Sequence, residues 1–551
     1  MMASPHPAIV LLALTMLLLF NYHTTPKPPP QQPELKPQPQ LHDQTPGWHK
    51  GHRMSQCEDY TTYSTKKHKP LSKGELKLPF MRPPDECKTF KSAAVEELIT
   101  DYGERMIDDD LFQLFRNCLP NTLDTTILWH NNDIESPRTF VSTGDIHAEW
   151  LRDSARQLSV YQRFIKQDES LKLLIKGAIL QQAEYINVAP YCNAFQPPKG
   201  SNVPRKPSSV DKVSPKPDWE QVFECKWELD SLASFLTLIN EYLQHSGDYQ
   251  ILRDNLVTNS FHTIAKILKR ESTPTFRTDN GKLNPFHYAF RRDTDIGSET
   301  LVLSGLGNPL NGETGLVRSA FRPSDDACIF QYLVPANIQM MVELRKLTRS
   351  LREHNDIPIM PGSDRTLSWA FQHYADEIQR GVEEYAIVEH PQFGKVYAYE
   401  VDGYGGRNIM DDANLPSLLS LPVLEYTTID DPVYANTRRM VLSKRGNPYY
   451  LVGNHLQGIG GPHVGLFHVW PMSIIMQIRT TDDDNEILAL LDTLKRSSGG
   501  LGLMHEGVHV SSPGGAVFTR SWFSWCNSEF GKMVLELAER KPWLLFKDSP
   551  K

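Results

Sequence analysis

The chain has 551 residues, 40% of them hydrophobic and 23% charged, with a formal net charge of −8. That length exceeds one ordinary core unless the fold is a large barrel or toroid. With a pI near 6.2 and no run of Lys and Arg, nucleic acid is excluded as the expected partner, and a neutral substrate fits.

The N-terminus differs from the rest. Residues 8–20 (AIVLLALTMLLLF) form an uncharged, almost wholly apolar run. It is short for a spanning helix, which needs roughly 17–25 residues. It suits the core of a secretory signal peptide or a short uncleaved signal anchor, although no cationic flank or A-x-A site accompanies it. Residues 1–23 are assigned that role, with membrane attachment through residues 8–20 in the anchored form. Residues 24–47 are rich in Pro and Gln and read as an extended spacer. Residues 24–84 are therefore assigned as a Pro-rich stalk and N-terminal extension, and 85–551 as the catalytic domain. The expected location is the secretory pathway, with a lumenal or extracellular catalytic domain that is secreted or anchored at the Golgi or cell surface.

From about Lys91 onward, helical periodicity dominates. Apolar stripes surround 94–99 and 111–115. Leu171, Leu174, Ile175, Ala178, Ile179 and Ile186 share one face. Leu232, Phe235, Ile239, Tyr242 and Leu243 form another, stopped at Gly247. Further stripes cover 338–347, 367–378, 487–494 and 530–537. Residues 396–401 (VYAYEV) are the best strand candidate, and 196–218 read as an inserted surface loop. Long stretches dense in Gly, Pro, Trp, Arg and Asp separate the helices, at 143–154, 305–326, 402–416, 458–471 and 498–522. Such loops in a compact domain are usually functional. Many helices with polar, aromatic loops between them indicate a mainly α protein, an α/α toroid whose loops converge on a cleft at one end.

The seven cysteines show no CxxC spacing, so they do not read as a zinc site. Cys57 and Cys87 are the local candidates for a disulfide, and the odd count leaves at least one thiol free or intermolecular. No N-x-S/T acceptor occurs.

Five segments carry candidate chemistry. STGDIHAEWLRDS offers Asp145, Trp150, Arg152 and Asp153; an indole can stack on a sugar face while Asp and Arg grip its hydroxyls. The same residues also read as a helix start with a structural Arg–Asp pair. FRPSDDA places Asp325 and Asp326 after Arg322. Adjacent acids raise each other's pKa, which keeps a carboxyl protonated as an acid, although Ser-Asp-Asp is also a good helix start. YEVDGYGGRNIMDDAN carries the Asp411–Asp412 pair without EF-hand spacing. GIGGPHVGLFHVW lacks a nucleotide-binding signature and offers His463 as a sugar ligand or a structural histidine. Finally, His505-Glu506-Gly507-Val508-His509 meets the HExxH spacing, which makes a zinc hydrolase using His505 and His509 the sharpest rival. That motif needs a helix, and the flanking glycines argue against one. The preferred role of Glu506 is a catalytic base.

Taken together, TGDIHAEWLRDS, WELDSL, FRPSDDA, YAYEVDGYGG with MDDAN, GIGGPHVG with VWPMSIIM, and MHEGVH with FTRSWFSW resemble, in order, glycoside hydrolase family 125, especially its fungal members. The resemblance spans roughly residues 85–545. It implies an (α/α)6 barrel and an exo-acting, inverting α-mannosidase, mainly for α-1,6 linkages, that needs no metal or other cofactor. It places the general acid in FRPSDDA, on Asp325 with Asp326 as the alternative, and the general base on Glu506. An inverting pair needs carboxyls about 6.5–9.5 Å apart to admit a water. Asp145, Trp150, Arg152, Asp153, Asp230, Arg322 and His463 are the candidates to hold the terminal mannose of an oligosaccharide or glycan. His147, Glu149 and Gly507 depart from the family pattern, in which Pro, Met and Ser are common there. Besides the zinc hydrolase, a non-catalytic mannoside-binding protein on the same scaffold is the remaining rival.

Overall fold

The computed structural model describes residues 57–360 and 362–549. The apolar run 8–20 and the Pro-rich stretch 24–47 lie outside the described residues. Among the described residues, no helix is long and apolar enough to cross a membrane.

Among the described residues, twelve helices of nine or more residues set the architecture: α1 (Ala93–Arg105), α2 (Asp109–Cys118), α3 (Leu151–Ser159), α4 (Glu169–Val188), α5 (Leu229–Ser246), α6 (Asn255–Glu271), α7 (Val334–His354), α8 (Leu367–Gly381), α9 (Pro432–Val441), α10 (Pro471–Arg479), α11 (Asp484–Arg496) and α12 (Ser524–Arg540). Every apolar stripe read from the sequence lies in one of them. The α4 stripe is buried throughout, as are Leu232, Phe235, Ile239, Tyr242 and Leu243 of α5. Each Leu, Ile and Phe among them contributes roughly 1.5–3 kcal/mol through apolar burial. α5 ends at Gly247, whose φ of +70° is a left-handed cap that suits glycine.

The helices alternate between two environments. α3 is buried along its whole length, and α5, α7, α10 and α12 over most of theirs. A helix enclosed on every side loses the one-faced pattern of a surface helix. Those between them, α4, α6, α8, α9 and α11, keep an exposed face. The interior helices neighbour one another as α7–α5–α3–α12–α10. The remaining interior place, between α8 and α9 in the chain, is held by residues 410–421, which are buried but fold as turns. Here the Asp411 carboxylate accepts from the amides of Leu418 (2.8 Å) and Leu419 (2.9 Å), bonds that stabilise turns in place of a helix. The Ala413 amide donates to the Gly460 carbonyl ahead of α10, and Ser324 ahead of α7 donates to Asp412. The ring is thereby closed into the helical toroid expected from sequence.

The helix ends differ between the two layers. The N-termini of α1, α2, α4, α6, α8, α9 and α11 are each capped by a side chain, from Ser92, Asp108, Asp168, Asp254, Thr366, Asp431 and Asp483. None of the five interior helices has a side-chain cap. The long Gly/Trp/Asp-rich loops 143–154, 305–326, 458–471 and 498–522 lead into the uncapped ends of α3, α7, α10 and α12, whereas 402–416 leads into the turns at 410–421.

The expected domain boundary at Asp85 falls inside the folded unit. Leu78 and Met81 are buried in it, and Arg82 forms an ion pair of 2.7 Å with Asp124. The Cys57–Cys87 disulfide is formed. A second one, Cys192–Cys225, was not read from the sequence; Cys118, Cys328 and Cys526 are free and buried. Residues 396–401 are extended as expected, divided between the strands Gly394–Tyr397 and Glu400–Val401.

Candidate active site

The cleft is built where the interior helices begin. α3 presents Arg152 and Asp153 in its first turn, and α5 presents Glu228 at its N-cap and Asp230 behind it. Arg152 gathers four carboxylates: Glu228 at 2.7 Å, Asp230 at 3.1 Å, Asp153 at 3.4 Å and Asp325 at 3.9 Å. Its guanidinium also lies 5.4 Å from the Trp525 ring in α12. Burial pushes the Asp153 carboxyl up to about 7 against the pull of Arg152.

FRPSDDA is a tight hairpin, with Phe321 bridged to Ala327, and not the helix start that Ser-Asp-Asp suggested. α7 begins only at Val334. The Arg322 amide donates to the Asp326 carbonyl (2.8 Å) and the Asp325 amide to the Arg322 carbonyl (2.9 Å). Asp325 adopts φ +66°, a left-handed conformation that Asp tolerates better than most residues. This turn separates the two neighbouring acids. The Asp325 side chain, 22% exposed, faces Arg152 and the Asn193 amide (3.3 Å). Burial raises its pKa, but Lys226 and Arg152 outweigh that and hold it well below the usual carboxylate range. Its hydrogen-bonded neighbour Glu228 is raised well above the usual range, chiefly by burial. Asp326 is buried and raised for the same reason, and its Oδ2 has no partner among the described residues.

Glu506 comes from the loop ahead of α12. Thr519 donates to its Oε2 (2.8 Å) and Arg520 Nε to its Oε1 (3.2 Å). Burial opposes its ionisation, but Arg520 outweighs it and the carboxyl is held below its usual value. Arg520 also binds Asp145. His463 is the common neighbour, close enough to favour the charged form of Asp325, Asp326 and Glu506 alike. Its ring lies 6.2 Å from that of Trp470.

The structure thus brings Asp145, Arg152, Asp153, Asp230, Asp325, Asp326, His463 and Glu506 around one cleft. Two candidates have other contacts. Arg322 gives its Nε to Glu400 at 2.6 Å and lies 5.5 Å from the Tyr399 ring. Trp150 packs edge-on against Phe223 at 5.5 Å, while its buried Nε1 has no partner among the described residues. Glu228, Asn193, Lys226, Thr519 and Arg520 were not singled out from sequence; only WELDSL and FTRSWFSW marked Glu228, Thr519 and Arg520. Several buried polar atoms have no partner among the described residues, including Asp230 Oδ1, Asp326 Oδ2, Tyr399 Oη and the Nε1 of Trp470 and Trp525. Such groups suit a ligand rich in hydroxyls.

The zinc rival needs a helix that does not form. Residues 505–507 are irregular and Val508–His509 form a two-residue strand. The His505 ring stacks on Phe518 at 4.0 Å and its Nδ1 bonds the Arg520 carbonyl at 2.9 Å. The two imidazoles therefore share no helix face. Nor does Asp411–Asp412 read as a calcium pair, because Asp411 is spent on backbone amides and Asp412 accepts from Ser324 at 2.6 Å.

The departure at Glu149 has a physical explanation. Burial pushes this carboxyl up to about 8, so an uncharged acid occupies a position where the family commonly has Met. The folded state holds a proton that the unfolded state, with a carboxyl near 4, releases. The associated stability is complete below about pH 4 and is lost as the pH rises through about 8. Glu149→Gln is expected to match wild type in thermal denaturation at pH 5 and to denature at higher temperature at pH 9. Equal melting temperatures at both pH values would contradict a buried neutral acid.

A toroid with carboxylates gathered at the starts of its interior helices has acids placed to bind and act on a hydroxyl-rich ligand. Comparison with known proteins narrows the class. The family described as metal-independent alpha-mannosidase (GH125) matches residues 108–535. A Schizosaccharomyces pombe protein, the meiotically up-regulated gene 157 protein, is 52% identical over 496 residues, covering 90% of this chain and 95% of that one. A Streptococcus pneumoniae metal-independent alpha mannosidase, solved in a non-productive complex with alpha-1,6-mannobiose, superposes with a TM-score of 0.72 at 33% identity. The match covers 82% of this chain and 99% of that one. The chain belongs to glycoside hydrolase family 125, the metal-independent α-mannosidases.

Proposed function

We propose that this protein is an exo-acting α-mannosidase that removes terminal α-1,6-linked mannose with inversion. The observation that carries the reading is the placement of Glu506 and the Asp325–Asp326 hairpin around one histidine, His463. Glu506, held ionised by Arg520, takes a proton from the water that attacks the anomeric carbon. Asp325, ionised at rest, receives a proton from its hydrogen-bonded neighbour Glu228, whose carboxyl burial raises, and passes it to the departing oxygen, which leaves Glu228 ionised. Asp326 is the second reading for the acid, favoured by its raised pKa and partnerless Oδ2. Arg152, Asp153, Asp230 and Asp145 hold the hydroxyls of the terminal mannose. The linkage is supported by the S. pneumoniae relative, which was solved with alpha-1,6-mannobiose.

An NMR time course of α-1,6-mannobiose hydrolysis, with chelator present and the α-1,2 and α-1,3 isomers alongside, tests this. Early β-mannose from the α-1,6 isomer is the expected result. Early α-mannose would remove Glu506 as a water-activating base, and no release from any isomer would remove the mannosidase reading itself.

The proposed setting is the secretory pathway, reached through residues 8–20 acting as a signal or anchor. Two disulfides in the folded unit support an oxidising compartment.

A further inference from the structure

Next to the cleft lies a pocket that the mannosidase reading does not use. It opens beside Asp145, because Gly144 and His147 of the same loop line it, together with Trp522, two residues after Arg520. Its other wall comes from outside the part of the chain that the family profile matches. That wall is the arm beginning at Cys57, which contributes Asp59, Tyr60 and Glu86.

The arm is fastened to the catalytic loops. The Cys57–Cys87 disulfide closes it, Ser64 and Ser521 share a hydrogen bond of 2.7 Å, and Tyr60 donates to the Met81 carbonyl at 2.8 Å. The Tyr60 ring meets the Trp522 ring edge-on at 4.8 Å, which fixes the indole against the pocket. Across from it, Gly144 has φ +146°, and a Cβ there would sit 3.4 Å from the indole. Trp522 is only 3% exposed, yet its Nε1 has no partner among the described residues. A buried N–H in that position is a donor in want of an acceptor.

The lining has carboxylates, hydroxyls and an aromatic ring but no Lys or Arg. Carboxylates and hydroxyls pair with sugar hydroxyls, and the Trp522 indole adds an N–H donor with no partner among the described residues. A phosphorylated or sulfated sugar would bring its anion against Asp59 and Glu86 with no Lys or Arg in the lining to offset them.

We infer that the arm and Trp522 form a second sugar site, which takes a neutral hexose unit of the same glycan other than the one being cleaved. The pocket would make the enzyme select longer or branched oligomannosides over a disaccharide. The inference rests on the mannosidase reading for the identity of the glycan.

The test is calorimetric binding in a Glu506→Gln background, comparing α-1,6-mannobiose with a branched mannopentaose carrying α-1,3 and α-1,6 arms. Two further substitutions probe the pocket. Trp522→Phe keeps the ring and deletes the N–H, and Thr61→Arg puts bulk and a cation into the pocket from the arm. The pentaose is expected to bind about tenfold more tightly than the disaccharide, the equivalent of roughly 1.4 kcal/mol. Both substitutions are expected to shrink that gap to about threefold or less. Equal affinities in the parent, no binding of either sugar, or a gap unchanged in both variants overturns the inference. Turnover of both sugars by the wild-type chain separates the two readings. A gap that responds to the substitutions without turnover would sink the mannosidase and leave the second site standing. Turnover without a gap would do the reverse.

Discussion

Glu506→Gln is expected to lower kcat by about 10²–10⁴-fold, the usual contribution of a general base, while KM changes little. The amide still accepts from Thr519, and Arg520 keeps Asp145 as a partner, so the loop ahead of α12 retains its shape. The loss is therefore chemical. The pH profile gives a second readout. Because Arg520 holds the Glu506 carboxyl low, the acid limb of kcat/KM should lie below the ordinary glutamate value of about 4.3. The stability associated with that ion pairing is present above this value and is lost as the pH falls through the depressed one. Full activity in the variant would remove Glu506 from the reaction, and an acid limb near pH 6 would remove Arg520 as the group that sets it.

Arg152→Met is expected to be the most destabilising single change in the cleft. The guanidinium compensates Glu228, Asp230, Asp153 and Asp325, all within 4 Å. Breaking a buried ion pair by removing one partner typically costs about 3–5 kcal/mol, because a charge is left uncompensated. Here several carboxylates lose their cation together. They escape by taking up protons, so their pKa values rise: that of Asp153 from about 7, and that of Asp325 from its depressed value. A raised carboxyl stabilises the fold at low pH and ceases to do so as the pH rises through its folded value. Chemical denaturation should therefore show the loss in full at pH 8 and a smaller one at pH 5. Arg152→Lys should rescue little, since an ammonium cannot present the planar fork that meets several acids at once. A pH-independent loss would mean that packing against Trp525, and not charge, is what Arg152 supplies.

The fold was legible in the sequence wherever one face of a helix is wet. α4 and α8 alternate apolar and polar residues because each has an inside and an outside, and their bounds followed from that period. The interior place held by residues 410–421 was not legible, because its turns depend on a carboxylate bonding amides seven and eight residues away. In the site, the motif loops marked Asp325, Asp326 and Glu506 together with their neighbours. They could not show that φ +66° at Asp325 turns the two adjacent acids into different surroundings. That difference sets one carboxyl low and the other high, and it lives in a backbone angle and not in a residue type. Lys226 was missed for a related reason: a lone lysine after a cysteine carries no pattern, and its importance comes from the charge it brings near Asp325.

The difference between capped exterior and uncapped interior helices bears on how such an enzyme can change. Each exterior cap is worth about 1 kcal/mol and sits away from the cleft. Each interior helix start instead presents the positive end of a dipole, and its first amides are met by groups from elsewhere in the chain, as Leu151 by the Asn193 carbonyl and Leu229 by the Ser319 hydroxyl. Robustness and innovation are thus assigned to different layers of one chain. Loops at the interior starts can be rewritten, as the arm from Cys57 and the departures at His147 and Glu149 illustrate, without spending the anchors that hold the outer layer. A lineage with this plan can explore new glycans while its thermal tolerance is inherited almost unchanged.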